Sequence, residues 1–387
     1  MKNLLTIIGA TATMGLAAQN ANVVSAYNYM KDGNLPKAVE YIEPAILDAK
    51  TSVVEKTWRY RAEIYRLIAL GEDAALKQQF PDALDRAAES YMKANELDEK
   101  GAYKRENGQA LAALQGASLN AGNDAFTAKE YDRAIACYGR SEQIAKSFGQ
   151  ADTNAVFNSA LAYEAKGDAA MAIERYKESI RIGYAKPEVY RYIASLQNKA
   201  GDRDAAIATT REGLTKYAGN KDLMLDLITF LLAADKSDEA EAGVKAALEV
   251  DPGNAVLWSV LGGLYDKKAS DAKDEAGIMG WYAKAEEAYK KSIEIDPKFF
   301  DAYFNIGVLY NNRAAFEYEK CNKLKSDAEY TKCKTAADAI YLKAVPFFEQ
   351  AHALNPTDVQ TMEQLKKLYA KTGDTVKYEQ MKAKLGK

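Results

Sequence analysis

The sequence predicts an all-α fold: a right-handed superhelical solenoid of about eight helix pairs, closed by a C-terminal capping pair. The first observation behind it is a residue pattern that recurs every 34 residues or so between Ala155 and Pro252. Gly167 and Gly201 mark equivalent turns, Ala172, Ala206 and Ala240 a second equivalent position, and Tyr163, Gln197 and Leu231 a third. The second is composition. Hydrophobic residues make up 48%, charged residues of nearly balanced sign 28%, and there are 8 prolines in 387 residues, which fits stacked amphipathic helices and not a disordered chain. A formal net charge of −3 implies no long-range attraction to phosphate, so no nucleic-acid partner is expected.

The N-terminus differs from the rest. Lys2 supplies a positive charge, Leu4 to Leu16 carries none, and Gly15, Ala17 and Ala18 are small. This is the layout of a secretory signal peptide over residues 1–18, with cleavage after Ala17 or Ala18. The alternative is an uncleaved first helix of the solenoid. The segment is too short to span a bilayer securely, and no cysteine near the cut offers a lipid anchor. An exported, periplasmic protein with no integral membrane segment after cleavage is expected.

Residues 19–148 read as irregular repeats. Tyr29, Gly33, Ala38, Ile42 and Ala45 form the first unit, with Asn34 as a helix cap and Pro44 inside the second helix, where it is expected to bend or shorten it. Trp58, Ala62 and Tyr65 open the next unit and Leu84, Ala87, Tyr91 and Ala94 close it, after roughly a dozen inserted residues ending at Phe80-Pro81. In the third, Tyr131, Ala134, Tyr138 and Ser141 mark the second helix. The preceding Tyr103 to Ala128 is either one helix several turns longer than usual or a normal helix with a short one before it.

Residues 149–254 hold three regular repeats, and 255–358 two more with helical insertions. Gly167-Asp168, Gly201-Asp202 and Gly373-Asp374 pair a residue tolerant of left-handed backbone with a carboxylate able to cap the next helix. Trp258, Leu261, Gly262 and Tyr265, then Ala285, Tyr289, Ser292 and Pro297, give the strongest copy: small residues let two helices approach while large ones fill the space beside them. Its insertion covers Lys268 to Gly280. Tyr303, Ile306, Gly307 and Tyr310 begin the next unit, which Ala344, Phe348, Ala351 and Pro356 close. The longest insertion, Arg313 to Ala337, lacks Gly and Pro, so both helices are expected to grow outward. Residues 359–387, with Met362, Leu365, Tyr369, Tyr378 and Met381, read as the capping pair. The insertions fall between the two helices of a unit and so project from one edge, as a binding face or as neutral drift.

Enzymatic machinery is not evident. The single histidine, His352, sits alone in a helical pattern, no glycine-rich phosphate loop occurs, and three cysteines with one histidine do not match zinc spacings. No enzyme activity, cofactor or metal is expected. Cys321 and Cys333 flank the tip of the long insertion; in an exported protein they are expected to form a disulfide worth about 3 kcal/mol, the other reading being two reduced thiols. Cys137 reads as a buried small residue.

Helical spacing places one row of side chains on the inner groove, free of the repeat's own packing: Phe157, Leu161 and Glu164, then Arg191 and Asn198, then Leu225 and Thr229. The row continues through Ser259, Asp266, Phe304, Val308 and Asn311. Apolar anchors between single charges suit an extended peptide or a partner's helix.

These residues, above all Trp58, Gly167, Ala172, Tyr176, Pro252, Trp258, Gly262, Tyr265, Ala285, Tyr289, Gly307, Tyr310, Ala344 and Pro356, resemble the tetratricopeptide (TPR) repeat family, in a signal-peptide-bearing bacterial form. The resemblance covers nearly everything after Gln19. It implies a non-catalytic scaffold holding partner proteins or peptides in its concave groove, in envelope assembly, secretion or transport. The family's chaperone-binding subgroup clamps a terminal carboxylate with lysine and asparagine on successive first helices; Phe157, Leu161, Arg191 and Phe304 stand at the corresponding places here and depart from it. A periplasmic carrier of a small molecule or glycan, using the groove's aromatic residues, is the alternative.

Overall fold

The computed structural model describes residues 21–386; the expected signal peptide over residues 1–18, with its cut at Ala17 or Ala18, lies outside them. Among the described residues there are helices and no strands. The chain divides into two units, one ending at Leu196 and the other beginning at Gln197.

In the N-terminal unit, α1 (21–31) and α2 (Leu35–Leu47) are followed by α3 (Glu55–Leu70), a short α4 (Ala74–Gln79) in the first insertion, and α5 (Ala83–Leu97). Then come α6 (Lys104–Thr127), α7 (Tyr131–Ser147), α8 (Thr153–Lys166) and α9 (Ala169–Arg181), with α10 (Pro187–Lys199) crossing into the second unit. Helices pack in pairs, α3 on α5, α6 on α7 and α8 on α9. Alanines at the crossings (Ala26, Ala38, Ala62, Ala87) are fully buried beside Ile42 and Tyr65. Residues 104–127 form a single helix, which settles the choice left open for that stretch, and α2 continues through Pro44 to Leu47.

The second unit contains α11 (Arg203–Lys216), α12 (Lys221–Ala233), α13 (Ser237–Val250), α14 (Ala255–Asp271) and α15 (Glu275–Ile295). These are followed by α16 (Phe300–Cys321), α17 (Asp327–Leu342), α18 (Val345–Leu354), α19 (Val359–Thr372) and α20 (Thr375–Lys384). Gly262 of α14 is where the pair α14/α15 closes: a Cβ there would lie 2.7 Å from the Tyr289 ring. Any larger side chain would have to displace a buried aromatic.

The recurrence of Tyr163, Gln197 and Leu231, three unlike side chains, has a backbone explanation. Each offers its carbonyl to the first N–H beyond the turn, from Asp168 (2.9 Å), Asp202 (3.0 Å) and Lys236 (2.9 Å), the closing bond of a Schellman turn. Gly167 (φ 90°) and Gly201 (φ 86°) take the left-handed backbone this demands, and Asp168 and Asp202 then cap α9 and α11 by accepting from Met171 and Ala205. In the third copy Asp235 carries the left-handed φ of 58°, and α13 starts without a side-chain cap.

The longest insertion corrects one expectation. While α16 does extend outward to Cys321, the returning arm is not one helix: α17 ends at Leu342, and Lys343 and Ala344 turn before α18. The cause is Pro346, which has no N–H to donate and is accommodated in the first turn of a new helix. Near the arm's tip the sulfurs of Cys321 and Cys333 are bonded, with Cα atoms 5.5 Å apart. Cys137 is a buried free thiol.

Candidate functional site

Each unit has a cleft on the first helices of its pairs. In the N-terminal unit it measures about 730 Å³ and is lined from α1 (Tyr27, Met30, Lys31), α3 (Lys56, Arg59, Tyr60, Glu63, Arg66) and α6 (Tyr103, Glu106, Asn107), with Tyr91 of α5 at its floor. On α3 the cleft residues recur at three- and four-residue steps, while Arg61, Ala62, Ile64 and Tyr65 point the other way into the core. The same helix therefore builds both core and site.

The lining is organised by charge and aromatic rings. Tyr27 and Tyr60 stack at 4.7 Å. Lys31 Nζ lies 5.6 Å from the Tyr27 ring centre and Lys56 Nζ 5.3 Å from that of Tyr60. The Arg59 guanidinium rests 3.8 Å from the centre of the Tyr103 ring, its Nε donating to Glu55 at 2.6 Å. Deeper, Arg66 donates two hydrogen bonds to Glu63 (2.6 and 2.8 Å), and the Tyr91 hydroxyl donates to the same carboxylate at 2.6 Å. Burial pushes the Glu63 carboxyl up, but the bonds from Arg66 and Tyr91 outweigh it and hold it below the usual range. Burial, then Glu63, pushes the Tyr91 hydroxyl far above its ordinary value. Beneath the cleft, Arg61 is nearly fully buried and donates to Glu43 (2.8 Å) and Ser90 (2.6 Å), which satisfies a cation that would otherwise be costly there.

A cleft of the second unit, about 570 Å³, is lined by Leu232 of α12, Ser237 of α13, Val256, Ser259, Val260, Gly263, Leu264 and Lys267 of α14, and Phe299, Asp301 and Asn305 at the start of α16. Leu232 and Val256 are exposed.

The row expected from helical spacing is distributed unevenly over these places. Ser259 lines the second cleft, and Leu225 and Thr229 are exposed on α12, the Thr229 hydroxyl donating to the Leu225 carbonyl at 2.8 Å. Phe157 packs 4.6 Å from Tyr184 and 5.9 Å from Tyr176, Leu161 lies against the same cluster, and Glu164 accepts from the Tyr176 hydroxyl at 2.7 Å. Arg191 and Asn198 are half-buried on α10. Asp266 accepts from the Asn312 amide at 3.2 Å, its other oxygen buried without a partner; burial pushes its carboxyl up. Phe304 packs edge-on to the fully buried Phe348 at 5.6 Å, Val308 is half-buried beside it in sequence, and Asn311 donates to Gln364 at 3.1 Å. His352 Nε2 accepts from the Lys384 ammonium at 2.8 Å, and among the described residues no cluster of His, Cys, Asp and Glu suits a metal.

The N-terminal cleft was missed by the sequence reading, although two signals mark it. Tyr27 with Lys31 and Lys56 with Tyr60 are four apart and so adjacent on a helix surface, and in both pairs the tyrosine borders the apolar stripe while the lysine is exposed.

Family models decide what kind of helix pair this is. A tetratricopeptide-repeat model matches residues 197–264 and a TPR-repeat model residues 278–312. The chain contains TPR repeats. Among curated proteins it is similar to the human protein O-mannosyl-transferase TMTC1, 21% identical over 210 residues; the match takes in 46% of this chain, and the chain spans only 24% of that protein. Similar solved structures include YrrB, titled a TPR protein with an unusual peptide-binding site (20% identity, TM-score 0.37, 56% of this chain and 97% of that one). MamA from Desulfovibrio magneticus is another (16%, TM-score 0.36, 50% and 94%). TPR proteins bind protein or peptide partners, and in TPR terms both clefts lie on the first helices of the repeats. Among the described residues no helix is long and apolar enough to cross a membrane.

Proposed function

We propose that this chain is a non-catalytic adaptor of the bacterial cell envelope, exported through its N-terminal segment and holding segments of partner proteins on its first helices. The observation that carries this reading is the pair of clefts on first helices, each offering exposed side chains to a partner, Lys31 and Lys56 in one and Leu232 and Val256 in the other. An open trough crossing α1, α3 and α6 matches an extended segment better than a compact ligand. The stacked tyrosines Tyr27 and Tyr60 favour a second reading, a glycan carrier.

Site-specific photo-crosslinkers placed at Tyr60, at Val260 and at the exposed Leu47 of α2 separate the two in intact cells. The adaptor reading expects protein adducts at Tyr60 or Val260 and none at Leu47. Adducts at all three, or at none, overturn it. A glycan that raises the melting temperature of the purified protein, with no protein adduct, puts the carrier in its place.

A further inference from the structure

We infer that the N-terminal cleft is built for an acidic polypeptide segment, with Lys31 and Lys56 as the cations that receive its carboxylates; this rests on the adaptor reading and names the chemistry of the partner. Basic side chains on this protein's surface are commonly neutralised within the chain. Lys37, Lys93, Lys236, Lys290 and Lys377, for example, each lie within 2.9 Å of a carboxylate oxygen. Lys31 and Lys56 are not neutralised in this way, and unlike Lys186 and Lys284, which also sit over aromatic rings, they line one cleft together. Each is exposed, each sits over a tyrosine face, and neither is within ion-pair distance of a carboxylate among the described residues.

A ring face restrains an ammonium group without cancelling its charge. An arriving carboxylate thus meets two cations already held in place and has no internal partner to displace. Two of the acidic groups around them are committed elsewhere, Glu55 to Arg59 and Glu63 to Arg66 and Tyr91. With Glu55 counted, four cations (Lys31, Lys56, Arg59, Arg66) face three carboxylates (Glu55, Glu63, Glu106), so the cleft is locally positive on a chain whose formal net charge is −3. That local inversion steers an acidic segment to this place and away from the rest of the surface. A nucleic-acid strand would meet the same cations, but it needs open ring faces to stack on; Tyr27 and Tyr60 face each other, and Tyr103 is covered by Arg59.

The test uses the purified full chain at low salt with three fluorescent probes: a ten-residue peptide alternating Glu and Ala, a ten-residue oligothymidylate, and an oligogalacturonate. The glutamate peptide is expected to bind, to weaken as salt rises, and to bind about tenfold or more weakly to the K31E/K56E double variant. Lys323→Glu, a charge reversal of equal kind in the other unit, is expected to leave binding unchanged, and circular dichroism confirms that each variant is folded. No binding of the peptide, equal binding by the double variant, or preference for the thymidylate or the galacturonate overturns the inference. If a protein still crosslinks at Tyr60 while the glutamate peptide does not bind, the charge assignment falls and the adaptor reading stands. If neither occurs, both fall.

Discussion

The clefts of the two units lie on the same helices of the repeat and yet are lined differently. In the N-terminal unit tyrosine, lysine, arginine and glutamate dominate, held by ion pairs and ring contacts. In the second, Leu232, Val256, Val260, Leu264 and Phe299 take the place of the tyrosines and arginines, among Ser237, Ser259, Lys267, Asp301 and Asn305. The repeat fixes which positions face the cleft, because those positions do not contribute to helix-on-helix packing; it leaves their chemistry open. Two surfaces of different chemistry are thereby carried on one kind of scaffold.

The largest effect that would break this comparison is steric. Gly262→Val pushes a branched side chain into the Tyr289 ring, 2.7 Å from where its Cβ would stand, and is expected to cost about 3 kcal/mol in urea unfolding. Its neighbour sharpens the point. Gly263 has ordinary contact distance, 3.5 Å to the Tyr289 hydroxyl, so Gly263→Ala is expected to stabilise by up to roughly 1 kcal/mol through helix propensity while narrowing the second cleft. Equal losses from both would show that α14 and α15 do not cross as described.

In the N-terminal cleft, Glu63→Gln removes the charge that Arg66 and Tyr91 share and turns one of the two accepting oxygens into an NH2 donor, and is expected to cost about 1–2 kcal/mol. Because it also removes a negative charge from the lining, the glutamate peptide should bind more tightly. Stability and affinity move in opposite directions, which a purely structural role for the network does not predict.

A smaller effect concerns the turns. Lys129 holds a left-handed φ of 63° where other repeats have glycine, so Lys129→Gly should raise stability by about 1 kcal/mol. Asp235→Gly should gain less, since Asp235 also pairs with Lys267.

The smallest is a pH dependence at the C-terminal cap. Burial, and then Lys384, lowers the His352 pKa from its ordinary 6.5, so the folded chain favours neutral imidazole. Its contribution is complete above pH 6.5 and is lost as pH falls through the depressed folded value. The pH dependence of thermal unfolding should therefore flatten in His352→Gln.

How much could be read beforehand differs between fold and site. Ala172, Ala206 and Ala240 at a common step, with Gly262 opposite Tyr289, give away helix pairs, because close packing of two helices restricts which residues fit. The cleft positions carry no such restriction, and the expected row proved mixed for that reason. Phe157 was spent on Tyr176 and Tyr184 and Phe304 on Phe348, whereas Ser259 reached a cleft. Large aromatic residues on a first helix can face either the groove or the neighbouring second helix, and spacing alone does not choose between them.

The amino-acid sequence by itself determined the repeating helix pairs and the glycine turns within them, though not the single helix over 104–127 or the break between α17 and α18, since the repeat depends on local backbone preference and on apolar residues three or four apart. Tertiary structure alone decided which charges are cancelled. The contacts of Lys31 with Tyr27 and of Lys56 with Tyr60 are local, four residues apart on one helix; only when α1, α3 and α6 are brought together does it emerge that no carboxylate among the described residues comes within ion-pair distance of either lysine, because electrostatic pairing depends on distances through space that no local pattern encodes.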